Sequence, residues 1–281
     1  MPAHAATAIE EALGDFTVAT SCFETADPAT WLVEGYCDDE PDRSEVAVRV
    51  DLLARAFGVP TPLPTIEALP STDWLAATHA AFPPFAVGRF WIHGSHVEEP
   101  VPTGRLGLAI DAATAFGSGE HPTTRGCLIA LEALGKRRRP GRVLDLGCGT
   151  AILAIAAVRL GARRVVAVDI DPESVRVARI NARVNGVAAR IGTGIADGYA
   201  AAPVRQGRPY DLILANILAR PLIRMAPALA QALAPGGRAV LSGLLSEQEA
   251  GVLAAHRQQG LVLERRVDLP PWPTLVLRKP A

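Results

Sequence analysis

The chain has no apolar stretch approaching the ~18 residues of a membrane span, so no bilayer crossing is expected of it. Its opening, MPAHAATAIEEAL, carries no basic segment followed by an apolar core, the pattern of a secretory signal. The four cysteines, Cys22, Cys37, Cys127 and Cys148, form no C-x-x-C pair. Dispersed cysteines without a leader fit a reducing compartment, and a cytoplasmic protein is expected. Aromatic residues are only 5% of the chain, so the core should be built from Ala, Val and Leu. A formal net charge of −1 removes any global attraction to nucleic acid, although a local basic patch remains open. His93 and His96 lie three apart with no third type of ligand nearby, and no metal site is expected. No internal repeat is visible.

What remains is enough for a substantial core. Apolar residues are 49% of 281, a length comfortable for two domains. The chain is organised around Val143 to Asp169, VLDLGCGTAILAIAAVRLGARRVVAVD. Val143–Leu146 reads as a buried parallel strand. It runs into Gly147-Cys148-Gly149, after which Thr150 is expected to cap a helix with the body Ala151–Leu160. Gly161 ends that helix, and Arg164–Val168 forms a second strand leading to Asp169. Strand, glycine turn, helix, strand and acid in this order make the layout of nucleoside-cofactor sites in doubly wound folds. Gly147 and Gly149 let backbone approach a ligand, and Asp169 is placed to accept both hydroxyls of a ribose. The third glycine of the dinucleotide fingerprint is absent, because Thr150-Ala151-Ile152 follows Gly149. Without a pyrophosphate cradle the pattern favours a nucleoside lacking phosphates, of which S-adenosylmethionine is the common one.

Residues 1–58 read as a small α+β domain: a helix over Ala5–Leu13, strands at Phe16–Phe23 and Trp31–Tyr36, and a helix capped by Ser44 running through Phe57. Thr65–Leu69 is one more candidate strand. Residues 59–100 read as a proline-rich linker with a short helix, Ser71–Ala81, and a strand at Phe90–Ile92. Residues 101–281 read as the main domain. There Phe116-Gly117-Ser118-Gly119-Glu120-His121-Pro122-Thr123-Thr124 is a loop feeding a helix N-terminus, a composition that often lines a site. Lys136-Arg137-Arg138-Arg139 follows as a basic loop, with a contact to RNA or an acidic partner as the lesser reading.

Further strands are expected at Arg190–Thr193, Tyr210–Ala215 and Arg238–Leu241, with Asp197 a candidate for the adenine amino group. Ser246 is expected to cap a helix over Glu247–Gln259. Leu261–Val267 and Thr274–Leu277 are too close for an intervening helix and must form an antiparallel hairpin. The fold expected is α/β: a Rossmann-like, mostly parallel sheet with a terminal antiparallel hairpin, plus the small N-terminal α+β domain. This is the arrangement of class I S-adenosylmethionine-dependent methyltransferases. Gly147, Asp169 and Asn216 all fall at the carboxyl ends of strands, where such sheets bind ligands.

The F-G-S-G-E-H-P-T-T loop, Asp145-Leu146-Gly147-Cys148-Gly149-Thr150, Asp169-Ile170-Asp171, Ala215-Asn216-Ile217-Leu218-Ala219, Pro235-Gly236-Gly237 and Ser242-Gly243 together resemble the PrmA family, methyltransferases of large-subunit ribosomal protein eleven. The resemblance covers about residues 71–281. It implies S-adenosylmethionine as cofactor, bound by Thr124, Gly147, Asp169 and Asn216 with Phe116 lining the cofactor loop. Gly149 joins these from the turn itself. It implies a protein partner, a ribosomal protein of the large subunit, recognised by the first module, and neither a nucleic-acid substrate nor a membrane. Asn216-Ile217-Leu218 stands where base methylases carry a proline pair, which argues against a base substrate. The chain departs from the family at Ile110-Asp111-Ala112-Ala113, usually Leu-Asp-Pro-Gly, and at Glu120, commonly small or hydroxylic.

The reaction implied moves methyl groups to lysine side chains or an N-terminal amine, with Asn216 as the catalytic residue holding a neutral amine by its hydrogens. His121 is a weaker candidate base. Two alternatives stay open here: a lysine methyltransferase of the electron-transfer flavoprotein β subunit, which shares the core motifs, and a non-catalytic ribosome-assembly protein. A nicotinamide oxidoreductase is disfavoured by the missing glycine.

Overall fold

The computed structural model describes residues 9, 13, 17–24, 31–67, 83–111, 117–137 and 139–281. Of the expected helix over 5–13 only Ile9 and Leu13 are among these, both helical; the expected helix over 71–81 and the position of Phe116 lie outside them. The chain divides into two compact units, residues 1–74 and 75–281.

In the first unit, β1 (Ala19–Glu24) pairs antiparallel with β2 (Trp31–Tyr36), from Ala19 opposite Tyr36 to Glu24 opposite Trp31. Helix α1 (Arg43–Ala56) buries Val46, Val50 and Ala54, a stripe at i, i+4 and i+8. Its cap is Asp42, not Ser44: the Asp42 carboxylate accepts the Ser44 and Glu45 N–H groups at 2.7 and 3.3 Å. Thr65–Glu67 is irregular, not strand, in a stretch where Pro60, Pro62 and Pro64 supply no N–H for a ladder.

The second unit begins earlier than residue 101. Within the expected linker, β3 (Phe85–Val87) and β4 (Phe90–His93) pair antiparallel, and β4 pairs in parallel with β5 (Leu106–Ala109). Fully buried Phe90, Ile92 and Leu108 join this small sheet to the main core. Pro83 and Pro84 precede β3 and Pro100 and Pro102 lie between β4 and β5, so these four border strands of the second unit.

The main sheet has seven strands in the order β11-β12-β10-β9-β6-β7-β8. Strands β6 (Arg142–Leu146), β7 (Arg164–Asp169), β8 (Ile191–Ile195), β9 (Tyr210–Asn216) and β10 (Leu233–Ser242) are parallel. β12 (Thr274–Arg278) enters antiparallel between β10 and β11 (Val262–Val267), the hairpin expected. Helices α2 (Pro122–Arg137), α3 (Ile152–Arg159) and α4 (Pro172–Val184) supply one core layer, with Leu128, Leu131, Ile155 and Ala178 packed on Val143, Val165 and Leu214. Helices α5 (Ala202–Gly207), α6 (Ala219–Arg224), α7 (Ala226–Ala232) and α8 (Glu249–Arg257) supply the other, with Val204, Leu222, Leu229 and Val252 on Leu144, Ile213 and Leu241. Burial on both faces is why these strands read as continuous apolar runs. Ser246 opens a single turn of 3-10 helix, and its hydroxyl donates to Pro271 O at 3.1 Å instead of capping α8. Gln248 stands at the N-cap of α8 without a side-chain bond to that helix; its side chain instead accepts the Leu245 N–H at 2.9 Å, closing the 3-10 turn.

From β6 the chain winds outward through β7 to β8, then crosses back to place β9 on the other side of β6. The carboxyl ends of β6 and β9 therefore border the switch point, where open α/β sheets bind ligands.

The candidate cofactor and acceptor site

β6 ends in the turn Gly147–Thr150, which folds back on β7: the Gly147 and Cys148 N–H groups both donate to Val168 O, at 2.9 and 3.0 Å. Gly147 holds φ +71° and faces Ile217, so closely that an added Cβ would fall 2.3 Å from the Ile217 Cγ2. Thr150 does not cap α3. Its hydroxyl donates to Gly117 O at 2.7 Å, tying the F-G-S-G loop to the turn. The N-cap is Ala151, at φ 64° and with no side-chain cap bond. One open N–H of the first turn is met instead by Asp145, whose Oδ2 accepts Ala154 N–H at 2.9 Å from the strand below.

Asp169 ends β7. Its Oδ2 accepts the Gly149 N–H at 2.9 Å and its Oδ1 the Asp171 N–H at 3.1 Å. Two backbone donors fix the carboxylate, and each oxygen keeps a lone pair for a further donor. Asp197 lies exposed beyond the end of neighbouring β8.

Asn216 ends β9. Its Nδ2 donates to the Thr124 hydroxyl at 3.3 Å, and its Oδ1 is buried with no partner among the described residues. Thr124 sits in the first turn of α2, 1% exposed, with its N–H bonded to His121 O. The segment after Asn216 is wedged from two sides, by Gly147 and by Gly243. The latter holds φ +84°, and a Cβ there would meet Ile217 O at 2.4 Å. His121 bonds through Nδ1 with the Thr123 hydroxyl at 2.8 Å and meets the Trp272 ring edge-on at 5.1 Å. That is the geometry of a residue shaping its loop.

Of the six residues picked out by sequence, five form one cluster through the contacts just described: Thr124, Gly147, Gly149, Asp169 and Asn216. Phe116 lies outside the described residues. Sequence reasoning gave no role to Asp145, 1% exposed beneath the turn. Burial, above all, pushes its carboxyl up to about 8; the Ala154 N–H opposes this and nearby Asp169 adds to it. An acid inside the apolar run VLDL was the available signal. Sequence reasoning also missed Asn181 on α4 and Asn185 at its C-cap, both buried. Asn185 bonds the N–H and C=O of Ala109 at 3.0 and 2.7 Å, and Asn181 those of Asp111 at 3.2 and 3.1 Å. The two amides stand in for a neighbouring strand along the free edge of β5, and Asn181 also donates to Thr150 O at 3.0 Å. Asparagines four apart on a helix are the sequence trace of this clamp.

The residues fit a nucleoside sulfonium cofactor: a turn open to backbone approach, a fixed carboxylate with free lone pairs at the end of β7, and an unpartnered buried acceptor across the switch point. Among solved structures, the crystal structure of a ribosomal protein L11 methylase from Lactobacillus delbrueckii subsp. bulgaricus superposes with a TM-score of 0.64 at 28% identity, covering 70% of this chain and 99% of that one. The fold is that of class I S-adenosylmethionine-dependent methyltransferases, as expected. Curated relatives called ribosomal protein L11 methyltransferase align along nearly the whole chain. That of Bradyrhizobium diazoefficiens is 43% identical over 267 residues, covering 95% of this chain and 88% of the relative. That of Rhodopseudomonas palustris (strain BisB5) is 41% identical over 270 residues, covering 96% and 90%. The model of the family described as ribosomal protein L11 methyltransferase (PrmA) matches residues 4–280. The wound sheet, the clustered turn, acid and asparagine, and this match along both units place the chain in the ribosomal protein L11 methyltransferase family.

Proposed function

We propose that this protein transfers methyl groups from S-adenosylmethionine to amino groups of the large-subunit ribosomal protein L11 in the cytoplasm, and that the first unit recognises that protein. The observation that carries the chemistry is the Asn216 side chain. Its NH₂ end is engaged by Thr124, so the amide is held with its oxygen as the open end. A buried acceptor without a partner is unfavourable by about 1–3 kcal/mol, and an amine N–H relieves it. S-adenosylmethionine, when bound, supplies a methyl group on a cationic sulfur. Asp169 is placed to take its ribose hydroxyls, and the Gly147–Gly149 turn to lie against it.

What the chain must do is present a neutral amine in line. A lysine amine has pKa ~10.4, so holding it neutral at pH 7 costs roughly 4.6 kcal/mol. Asn216 Oδ1 accepts one amine hydrogen, fixes the nitrogen lone pair toward the methyl group, and excludes rotation. An amide is no base, so the proton leaves to water before attack. The match along residues 4–280 includes the first unit, which supports its role in recognition. The relatives' names favour the ribosomal protein over the flavoprotein β subunit.

The test supplies the purified chain with methyl-labelled S-adenosylmethionine and ribosomal protein L11, or the flavoprotein β subunit separately, and locates label by mass spectrometry. Label on lysine or N-terminal amines of L11 is expected. Label on the flavoprotein subunit alone would move the substrate, and label on neither would overturn the proposal.

A further inference from the structure

The net charge of −1 conceals a segregation. Residues 1–74 carry three arginines against fourteen carboxylates, a net of −11, while residues 75–281 carry twenty-five basic against fifteen acidic residues, a net of +10. Within the second unit the positive charge gathers at the end of the sheet opposite the candidate site. β6 begins with Arg142, β7 with Arg164 preceded by Arg163, and Arg190 immediately precedes β8. The helices of one layer end at the same place: α2 at Lys136 and Arg137, α3 at Arg159, α4 near Arg183.

These positions lie next to one another in the fold. The Arg163 and Arg164 N–H groups donate to Gly141 O at 2.9 and 3.3 Å, Arg142 pairs in register with Arg164, and the Arg139 stem packs on Gly161. Seven exposed arginines result: Arg139, Arg142, Arg159, Arg163, Arg164, Arg183 and Arg190. Among the described residues none of them is in an ion pair. Cations at helix C-termini complement the helix dipole, which accounts for Arg159 and Arg183. It does not account for the five on strand starts and loops. Between residues 133 and 192 the acids are Asp145, Asp169, Asp171 and Glu173 alone, all at the far, carboxyl end of β6 and β7 or at the start of α4; one carboxylate from outside this span reaches the corner, Asp211 at the start of β9, whose Oδ2 accepts the Arg142 N–H at 2.7 Å.

We propose that this arginine corner binds the phosphate backbone of RNA, as a docking surface remote from the methyl-transfer site. Guanidinium groups match phosphate oxygens in a fork that ammonium groups do not offer. Neighbouring strand starts lie about 4.8 Å apart, so the row Arg142, Arg164, Arg190 presents side by side to one strand of backbone. No Phe, Tyr, Trp or His occurs between residues 133 and 192, so bases have no ring to stack on. Recognition is therefore by charge and carries no sequence preference. RNA bound here is an anchor and not a methyl acceptor.

The experiment measures fluorescence anisotropy of a labelled 20-nucleotide oligouridylate with the full chain between 50 and 300 mM KCl. If four to six arginines neutralise phosphates, log K falls with log salt at a slope of about −3 to −4. Replacing Arg142, Arg163 and Arg164 together by Gln should weaken binding more than ten-fold at 100 mM and flatten the slope by about 2. All three side chains are exposed, so the variant should keep its melting temperature and its methyl-transfer rate. Absence of binding at 50 mM KCl, or equal binding by the triple variant, overturns the proposal. So does equal binding of polyglutamate of matching charge, which would assign the corner to an acidic protein. None of the binding readouts depends on whether methyl transfer occurs.

Discussion

Gly147 and Gly243 both press on Ile217, but on different parts of it, and this gives a paired test of how the acceptor segment is held. In Gly243→Ala the new methyl would lie 2.4 Å from Ile217 O, 2.8 Å from its C and 2.9 Å from its N. Those are backbone atoms, and no rotamer change removes them. Restoring ordinary contact near 3.4 Å requires Ile217 to retreat by about 1 Å, and Asn216, one residue away, moves with it. The left-handed φ of +84° adds about 1–2 kcal/mol for a residue with a Cβ. A misplacement of this size lowers turnover on the order of 10²-fold. In Gly147→Ala the collision is with Ile217 Cγ2, at 2.3 Å, the far end of a side chain. Trimming that side chain should clear the collision, leaving only the backbone cost of φ +71°, about 1–2 kcal/mol, which Gly243→Ala carries as well. Steady-state methyl transfer on single and double variants reads the difference. Ile217→Ala should restore most of the activity lost in Gly147→Ala and little of that lost in Gly243→Ala. Equal rescue of both, or full activity in Gly243→Ala, would refute the wedge and the placement of Asn216 that depends on it.

Asn181→Leu should destabilise the protein by about 3 kcal/mol, because it strands the Asp111 N–H and C=O and the Thr150 C=O without partners; denaturant unfolding measures this, and a loss under 1 kcal/mol would contradict the clamp. Asp145 gives a pH signature. Its carboxyl titrates near 3.8 when unfolded and at about 8 in the fold, so the native state keeps a proton that the unfolded chain has lost. Stability contributed at this site is therefore greatest below about pH 4, falls as pH rises toward 8, and is flat above. Asp145→Asn should remove that slope, losing less melting temperature than the parent between pH 5 and 8; parallel curves would show that Asp145 is ionised throughout.

The parallel strands were legible because burial on both faces leaves continuous apolar runs such as Leu212–Ala215, and glycine punctuates their ends. The candidate site was legible as a place: Gly147, Asp169 and Asn216 lie at or just beyond the ends of strands read from their apolar runs, and the sheet brings those ends together. What escaped was set by partners distant in sequence. Asp42, not Ser44, caps α1 because only its carboxylate reaches two N–H groups, a choice between neighbours that composition does not make. Thr150 turned from its own helix to Gly117, 33 residues earlier, and Ser246 to Pro271. The prolines suggested a linker, yet Pro83, Pro84, Pro100 and Pro102 border strands β3 to β5, and the edge of β5 is held by Asn181 and Asn185 about 70 residues on. The arginine corner was visible only as Lys136–Arg139, since the other members are brought beside it by the winding of the sheet.

The central claim is that Asn216 Oδ1 holds the acceptor amine, and Asn216→Ala tests it most directly. Methyl transfer to L11 would be followed in single turnover, with affinity for S-adenosylhomocysteine measured separately by calorimetry. The account predicts a rate loss on the order of 10²–10³-fold, as for removal of one fixed polar contact to a reacting group, with affinity changed less than ten-fold. Full turnover in Asn216→Ala would contradict it.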